Sequence, residues 1–292
     1  MPVIYYQYIN FEDIQLFVLF NQIFLINFVV DISQKQSTMS ISTTSKLNCL
    51  LSESLPGGLL FAGWLKKEGY SSQLLKKYRD SGWLEALGRG VMYRRNDNLS
   101  ALTAVHCYNY QIGNNARVAA HSALELLGFS HYIPMGKPRL MVAFESGNVE
   151  DWVRSDKYDM TIVPFHTGIF KNPLTQSYKT NRYAIKISSP EQAFLECLHL
   201  VPDQYNYMDL YYVMEQLTSL NPEKVQNALE NTSSQRVKRM FLYMAEKTGH
   251  YWFDMLDYDK FGLTTSKLKL IDNGVYIPKY RITVPKELND YK

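Results

Sequence analysis

The stretch from Gly69 to Arg95, GYSSQLLKKYRDSGWLEALGRGVMYRR, constrains the fold more than any other part of the chain. Gly69 tolerates positive φ and permits a sharp reversal. Ser71 or Ser72 then offers a hydroxyl to the free N–H groups of a starting helix. Leu74, Leu75 and Tyr78 recur at steps of one, three and four, which makes one apolar helical face; Gln73, Lys76, Lys77 and Asp80 fall on the other. Gly82 stops the helix. Trp83 to Leu87 and Val91 to Arg95 are strand-like runs around Gly88-Arg89-Gly90, a turn flanked by cations. A helix with a basic face followed at once by a basic hairpin is the pattern of a winged helix-turn-helix: the helix is sized for the major groove, and the hairpin reaches phosphates or the neighbouring minor groove. The competing reading is a small three-helix bundle with a solvated basic face. Ala62 to Glu68 is the supporting helix, and Trp64, Leu74, Tyr78 and Trp83 are the expected core of the module.

A chain of 292 residues is long for one small module, so two domains are expected. Its 46% apolar and 14% aromatic residues suffice for real cores. Net charge is only +3, so affinity for nucleic acid must come from a local patch. Residues 40–97 supply one: Lys46, Lys66, Lys67, Lys76, Lys77, Arg79, Arg89, Arg94 and Arg95 face five acids, Glu53, Glu68, Asp80, Glu85 and Asp97. Cys49, Cys107 and Cys197 lie far apart, with no C-x-x-C, which fits a reduced, cytoplasmic compartment and buried thiols.

The expected fold class is α+β: a leader over 1–38, a winged helix-turn-helix over 39–97, and a mixed α+β domain over 98–292 with a small sheet and several helices. The leader contains Ile14 to Val30, apolar but interrupted by Asn21, Gln22 and Asn27, and short for a membrane span of about 20 residues. It reads as an anchor, as a helix packed on the body, or, the favoured reading, as upstream sequence with translation beginning at Met39. Residues 98–135 read as helical, with Val118, His121, Leu124 and Leu127 forming one stripe of RVAAHSALELLGF. Arg139 to Phe144, Tyr158 to Phe165 and Arg182 to Ile187 read as strands. Ser189-Pro190-Glu191-Gln192 and Asn221-Pro222-Glu223 are helix starts. Ser234 to Gly249 is a further helix, with Arg236, Lys238, Arg239 and Lys247 outward. Leu268 to Ile271 and Val275 to Ile277 flank Asp272-Asn273-Gly274 as a hairpin, with one more strand over Tyr280 to Val284.

The chain offers little catalytic chemistry. None of the six histidines pairs with another ligand type at zinc-like spacing, so no metal or cofactor is expected. His121, on an apolar helix, reads as structural. Phosphate-loop, dinucleotide and nucleophile-elbow motifs are absent. The enzymatic alternative is a nuclease-like domain using Asp159 and Lys186, but Ala184 stands where a second acid is needed. Glu191 reads as a capping residue and Glu196 as solvated.

The winged-helix stretch, ARVAAHSALELLGF, ISSPEQAFLECL, RVKRMFLYMAEKTGHYWFDML and YRITVPKEL together, over about Met39 to Tyr291, resemble the AbiEi family of type IV antitoxins and transcriptional regulators. The resemblance implies a bacterial repressor that binds double-stranded DNA at inverted repeats in its own promoter. It also implies an antitoxin domain that counters a nucleotidyltransferase-like toxin without a stable complex, with no catalysis and no small-molecule substrate. The DNA contacts would be Ser71, Ser72, Gln73, Lys76, Lys77 and Arg79 on the helix and Arg89, Arg94 and Arg95 in the wing, with Arg236, Lys238 and Arg239 as a second basic patch.

Overall fold

The computed structural model describes residues 43–129, 136–145 and 149–291. The readings of 1–38 as leader, anchor or untranslated sequence lie outside them. No described helix is long and apolar enough to cross a membrane. The chain forms two compact units, divided after Glu53. In the first, helix α1 (Thr43–Glu53) is described; its Ser52 hydroxyl donates to the Cys49 carbonyl at 3.0 Å.

The second unit opens with β1 (Leu60–Phe61), α2 (Ala62–Lys67), α3 (Ser72–Asp80), β2 (Leu84–Gly88) and β3 (Val91–Arg94). With α1 before them in the chain, this is the element order of a winged helix-turn-helix. The strands form one antiparallel sheet in the order β1-β3-β2. The expected core needs correction. Tyr78 is buried, but Trp64 and Leu74 are half-buried and Trp83 is 50% exposed. Helix phase puts Leu75 and Tyr78, three residues apart, on the inner face and Leu74 at its margin. Strand alternation sends Leu84 inward and its neighbour Trp83 outward.

The winged sheet is tied to the body. Gln111 in α4 (Ala101–Ile112) accepts from Phe61 N and donates to Leu59 O, both at 2.8 Å, and so satisfies the free edge of β1 as a strand would. Lys157 Nζ donates to the Tyr93 hydroxyl (2.7 Å), which donates to Glu85 (2.5 Å). Phe61, Val91 and Tyr93 belong to the same buried cluster as the body.

A five-stranded sheet in the order β6-β5-β4-β8-β7 centres the body. Its strands are β4 (Arg117–Val118), β5 (Arg139–Phe144), β6 (Thr161–His166), β7 (Thr175–Lys179) and β8 (Ala184–Ser188). Part of the stretch expected to be helical is thus the central strand: Arg117 and Val118 pair with β5 and β8, and helix α5 (Ala120–Leu126) begins at Ala120, which takes φ 48°. β7, with its polar alternation, carried no strand signal. Helix α6 (Pro190–His199) starts as expected, with Ser189 Oγ accepting from Gln192 N at 3.4 Å. Ser189→Ala is expected to cost about 1 kcal/mol, the usual worth of such a cap, in urea-unfolding titrations.

Helices α7 (Tyr207–Gln216), α8 (Pro222–Glu230) and α9 (Gln235–Thr248) follow. β9 (Leu268–Lys269) and β10 (Val275–Ile277) do not form the expected hairpin. β11 (Ile282–Val284) lies between them, antiparallel to β10 and parallel to β9. Gly274 makes room for it, since a Cβ there would sit 2.2 Å from Val284 O. The short helix α10 (Lys286–Asp290) ends the described chain.

The interior of the body holds an ionic knot. Arg117 and Glu196 have fully buried side chains and meet at 2.8 Å. Glu196 Oε1 also accepts from Ser188 Oγ and Gln192 Nε2, and Oε2 accepts from Ala120 N at 3.0 Å, which holds the positive-φ residue where strand becomes helix. Glu191 is buried too and accepts from Asn221 N at 3.3 Å. The expectation that Glu196 is solvated fails because that side of α6 lies over β4 and β8, whose Arg117 and Ser188 enclose its carboxylate.

His121 has the structural role expected of it, with Nδ1 2.5 Å from the Tyr205 hydroxyl. Burial, and secondarily the charge of Arg139, pushes its pKa down to about 4. The folded form therefore refuses a proton that the unfolded chain takes up. This contribution to stability is complete above about pH 6.5 and is lost as the pH falls through about 4. Melting temperature against pH is expected to fall less steeply across that window in His121→Gln than in the parent.

Candidate nucleic-acid interface

Gly69 (φ 84°) makes the turn between α2 and α3, and Tyr70 N donates back to Leu65 O at 2.9 Å. Ser71 Oγ accepts from Leu74 N at 3.2 Å, so its hydroxyl is occupied as the helix cap. Along α3, Leu75 and Tyr78 anchor the buried side while Ser72, Gln73, Lys76, Lys77 and Arg79 are exposed. Residues 73, 76, 77 and 80 recur at three- and four-residue steps and share one face. Lys76, Lys77 and Arg89 carry no carboxylate partner among the described residues. Arg79 Nη1 lies 3.2 Å from Met92 Sδ, a weak acceptor.

The wing sorts its three arginines differently. Arg89 is exposed in the Gly88-Arg89-Gly90 turn, where Gly90 takes φ 75°. Arg95 is exposed and pairs loosely with Glu85 at 3.6 Å across the hairpin. Arg94 corrects the expectation: it is half-buried and its Nε donates to Asp97 at 2.9 Å, while the same carboxylate oxygen accepts from Gly57 N. Its charge is committed to holding the base of the hairpin. Trp83, absent from the sequence-based set, is exposed beside this surface, and its carbonyl accepts from Arg95 N. Lys66, on the preceding helix, is exposed as well.

The second basic patch does not form. Arg239 is 1% exposed and donates to the carbonyls of Ser266 (2.7 Å) and Thr264. Lys238 is 6% exposed and donates to Phe261 O at 2.7 Å. Arg236 donates to the carbonyls of Val201 and His199 at 2.6 and 2.8 Å. Lys247, also expected outward, reaches Asn289 O and Tyr291 O. For Lys238, Arg239 and Lys247 the chain after α9 supplies the carbonyls, and for Arg236 the end of α6 and the segment that follows it do, so cations that looked solvated become ties for backbone.

Nor do the residues of the nuclease alternative meet. Asp159 Oδ1 accepts from Ala101 N at 2.8 Å, which places it at the start of α4. Lys186 Nζ donates to Asn115 at 2.7 Å. Lys186 lies on β8 and Asp159 just ahead of β6, and β5 and β4 separate those two strands, roughly 14 Å at about 4.8 Å per strand spacing.

Residues 43–135 match the family described as "Transcriptional regulator, AbiEi antitoxin N-terminal domain", and residues 141–285 match "Transcriptional regulator, AbiEi antitoxin, Type IV TA system". The chain belongs to the AbiEi antitoxin family. The N-terminal match spans the winged helix-turn-helix and continues through α5; the second covers most of the body. Among solved structures, this AbiEi chain resembles the "RV2827C protein from Mycobacterium tuberculosis", with a TM-score of 0.53, 12% identity, and coverage of 81% of this chain and 88% of that one. At that identity the likeness speaks for the fold alone. No curated protein matches the chain.

Proposed function

We propose that this AbiEi-family regulator represses its own operon by binding inverted repeats in double-stranded DNA, and that it counters a nucleotidyltransferase-like toxin without forming a stable complex with it. The observation that carries the DNA-binding half is the exposed set of Gln73, Lys76 and Lys77 on α3, its lysines without a carboxylate partner among the described residues, with Arg89 in the adjoining wing. Gln73 is suited to bidentate reading of an adenine edge. The lysines and Arg89 are suited to phosphates, which makes binding salt-dependent. Ser72 and Arg95 are flanking contacts. The antitoxin half rests on family membership over residues 141–285. In this reading the protein works in the cytoplasm, binds no cofactor and performs no catalysis.

Footprinting on the DNA upstream of its own gene tests the repressor half. Protection of paired inverted repeats is the expected result, and binding no tighter than to unrelated DNA would reject it. For the toxin half, co-expression with a neighbouring nucleotidyltransferase-like reading frame is expected to restore growth without co-purification. Persistent growth arrest would reject it.

A further inference from the structure

Between α3 and the wing lies a cleft of about 350 Å³, at the small end of ligand-sized pockets. Its apolar lining includes Leu75 and Met92, both buried; Lys66, Ser72 and Arg79 bring polar groups to it, and Ala86 stands on the wing side. Three features give it a sign. Arg79 is steadied over the cleft by Met92 Sδ at 3.2 Å, and a thioether leaves most of the guanidinium's donors unanswered. No carboxylate among the described residues pairs with Lys66 or Arg79. Ser72 is the first residue of α3, so the positive end of a nine-residue helix borders the same space. On the wing side the cleft is bounded by Ala86, Gly88, Gly90 and Met92, and a Cβ added at either glycine would meet nothing within 4 Å.

We infer that this cleft holds a single phosphate group, gripped by Lys66 from one helix and Arg79 from the next. The same chemistry is offered by a phosphodiester of the DNA backbone and by a free phosphate ester. The position between the two elements assigned to DNA favours the backbone phosphodiester, and in that form the inference rests on the DNA-binding reading above. It adds Lys66 to the contact set and gives Ala86 a role, since its small side chain leaves the cleft open.

The test uses the full chain and the salt dependence of operator binding, read by fluorescence anisotropy. Ala86→Leu fills the cleft and leaves every cation in place; Lys66→Met with Arg79→Met empties it of charge and keeps both stems. Each is expected to lower the slope of log K against log salt by about 0.9, the equivalent of one phosphate. Thermal melts in sodium phosphate and sodium chloride of equal ionic strength form the second arm. Stabilisation by phosphate that Ala86→Leu abolishes, with the operator slope unchanged in the same variant, overturns the backbone assignment and gives the cleft to a free phosphate ester. If neither the slope nor the phosphate effect changes in these variants, while Lys76→Ala with Lys77→Ala still flattens the slope, the cleft inference is overturned and the DNA-binding reading stands. If that lysine pair has no effect either, both are overturned.

Discussion

Replacing Lys76 and Lys77 together by alanine is expected to weaken operator binding on the order of a hundredfold at low salt, from two charge-assisted contacts at the low end of their range, about 1.5 kcal/mol each. The slope of log K against log salt should fall by roughly 1.8, two phosphates' worth. Binding to unrelated DNA should weaken in parallel, because phosphate contacts carry no sequence information. Folding should be unaffected to within about 0.5 kcal/mol, since both side chains are exposed and neither has an acid partner among the described residues. This last expectation separates lost binding from lost structure. An anisotropy titration across a salt series, with a melt as control, reads all three quantities. An unchanged slope would mean that α3 does not lie against a phosphate backbone.

Glu196→Ala is expected to cost about 3–5 kcal/mol of stability, the penalty for removing one partner of a buried ion pair. For a body of this size that is a fall of roughly 10 °C in melting temperature. The loss exceeds that of an ordinary core truncation because one carboxylate serves four donors: Arg117 Nη2, Ser188 Oγ, Gln192 Nε2 and Ala120 N. Without it Arg117 is a buried guanidinium facing Glu145 at 3.9 Å, and Ala120 loses the bond that holds its positive φ. Arg117→Met combined with Glu196→Leu should recover part of the loss, because no charge is then left alone in the interior. Recovery would be incomplete, since the Ala120 amide stays without its acceptor. A destabilisation below about 1 kcal/mol for Glu196→Ala alone would show that water reaches the pair and that the knot is not dry.

The residues that signalled the winged helix-turn-helix did so through local physics. A glycine at positive φ, a serine cap and an apolar face at helical spacing act within one turn of chain, so Gly69, Ser71, Leu75 and Tyr78 could be read without knowing their neighbours. The same holds for Ser189 and Pro190 at the start of α6. The family, too, was legible, because its signal is the order of such local pieces.

What the sequence left open was the fate of charge and the pairing of strands, both of which depend on distant chain. Arg239 and Lys76 look alike on a helical wheel. One is sealed by carbonyls from Thr264 and Ser266, and the other meets water. Arg117 and Val118 continue an apolar helical stripe, yet β5 and β8 claim them for the sheet. β11 enters between β9 and β10 and cancels a turn signal that would otherwise have closed a hairpin. A cation's surroundings and a strand's partners are set by segments tens of residues away, and local propensity, at a few tenths of a kcal/mol per residue, cannot outweigh the burial those segments bring.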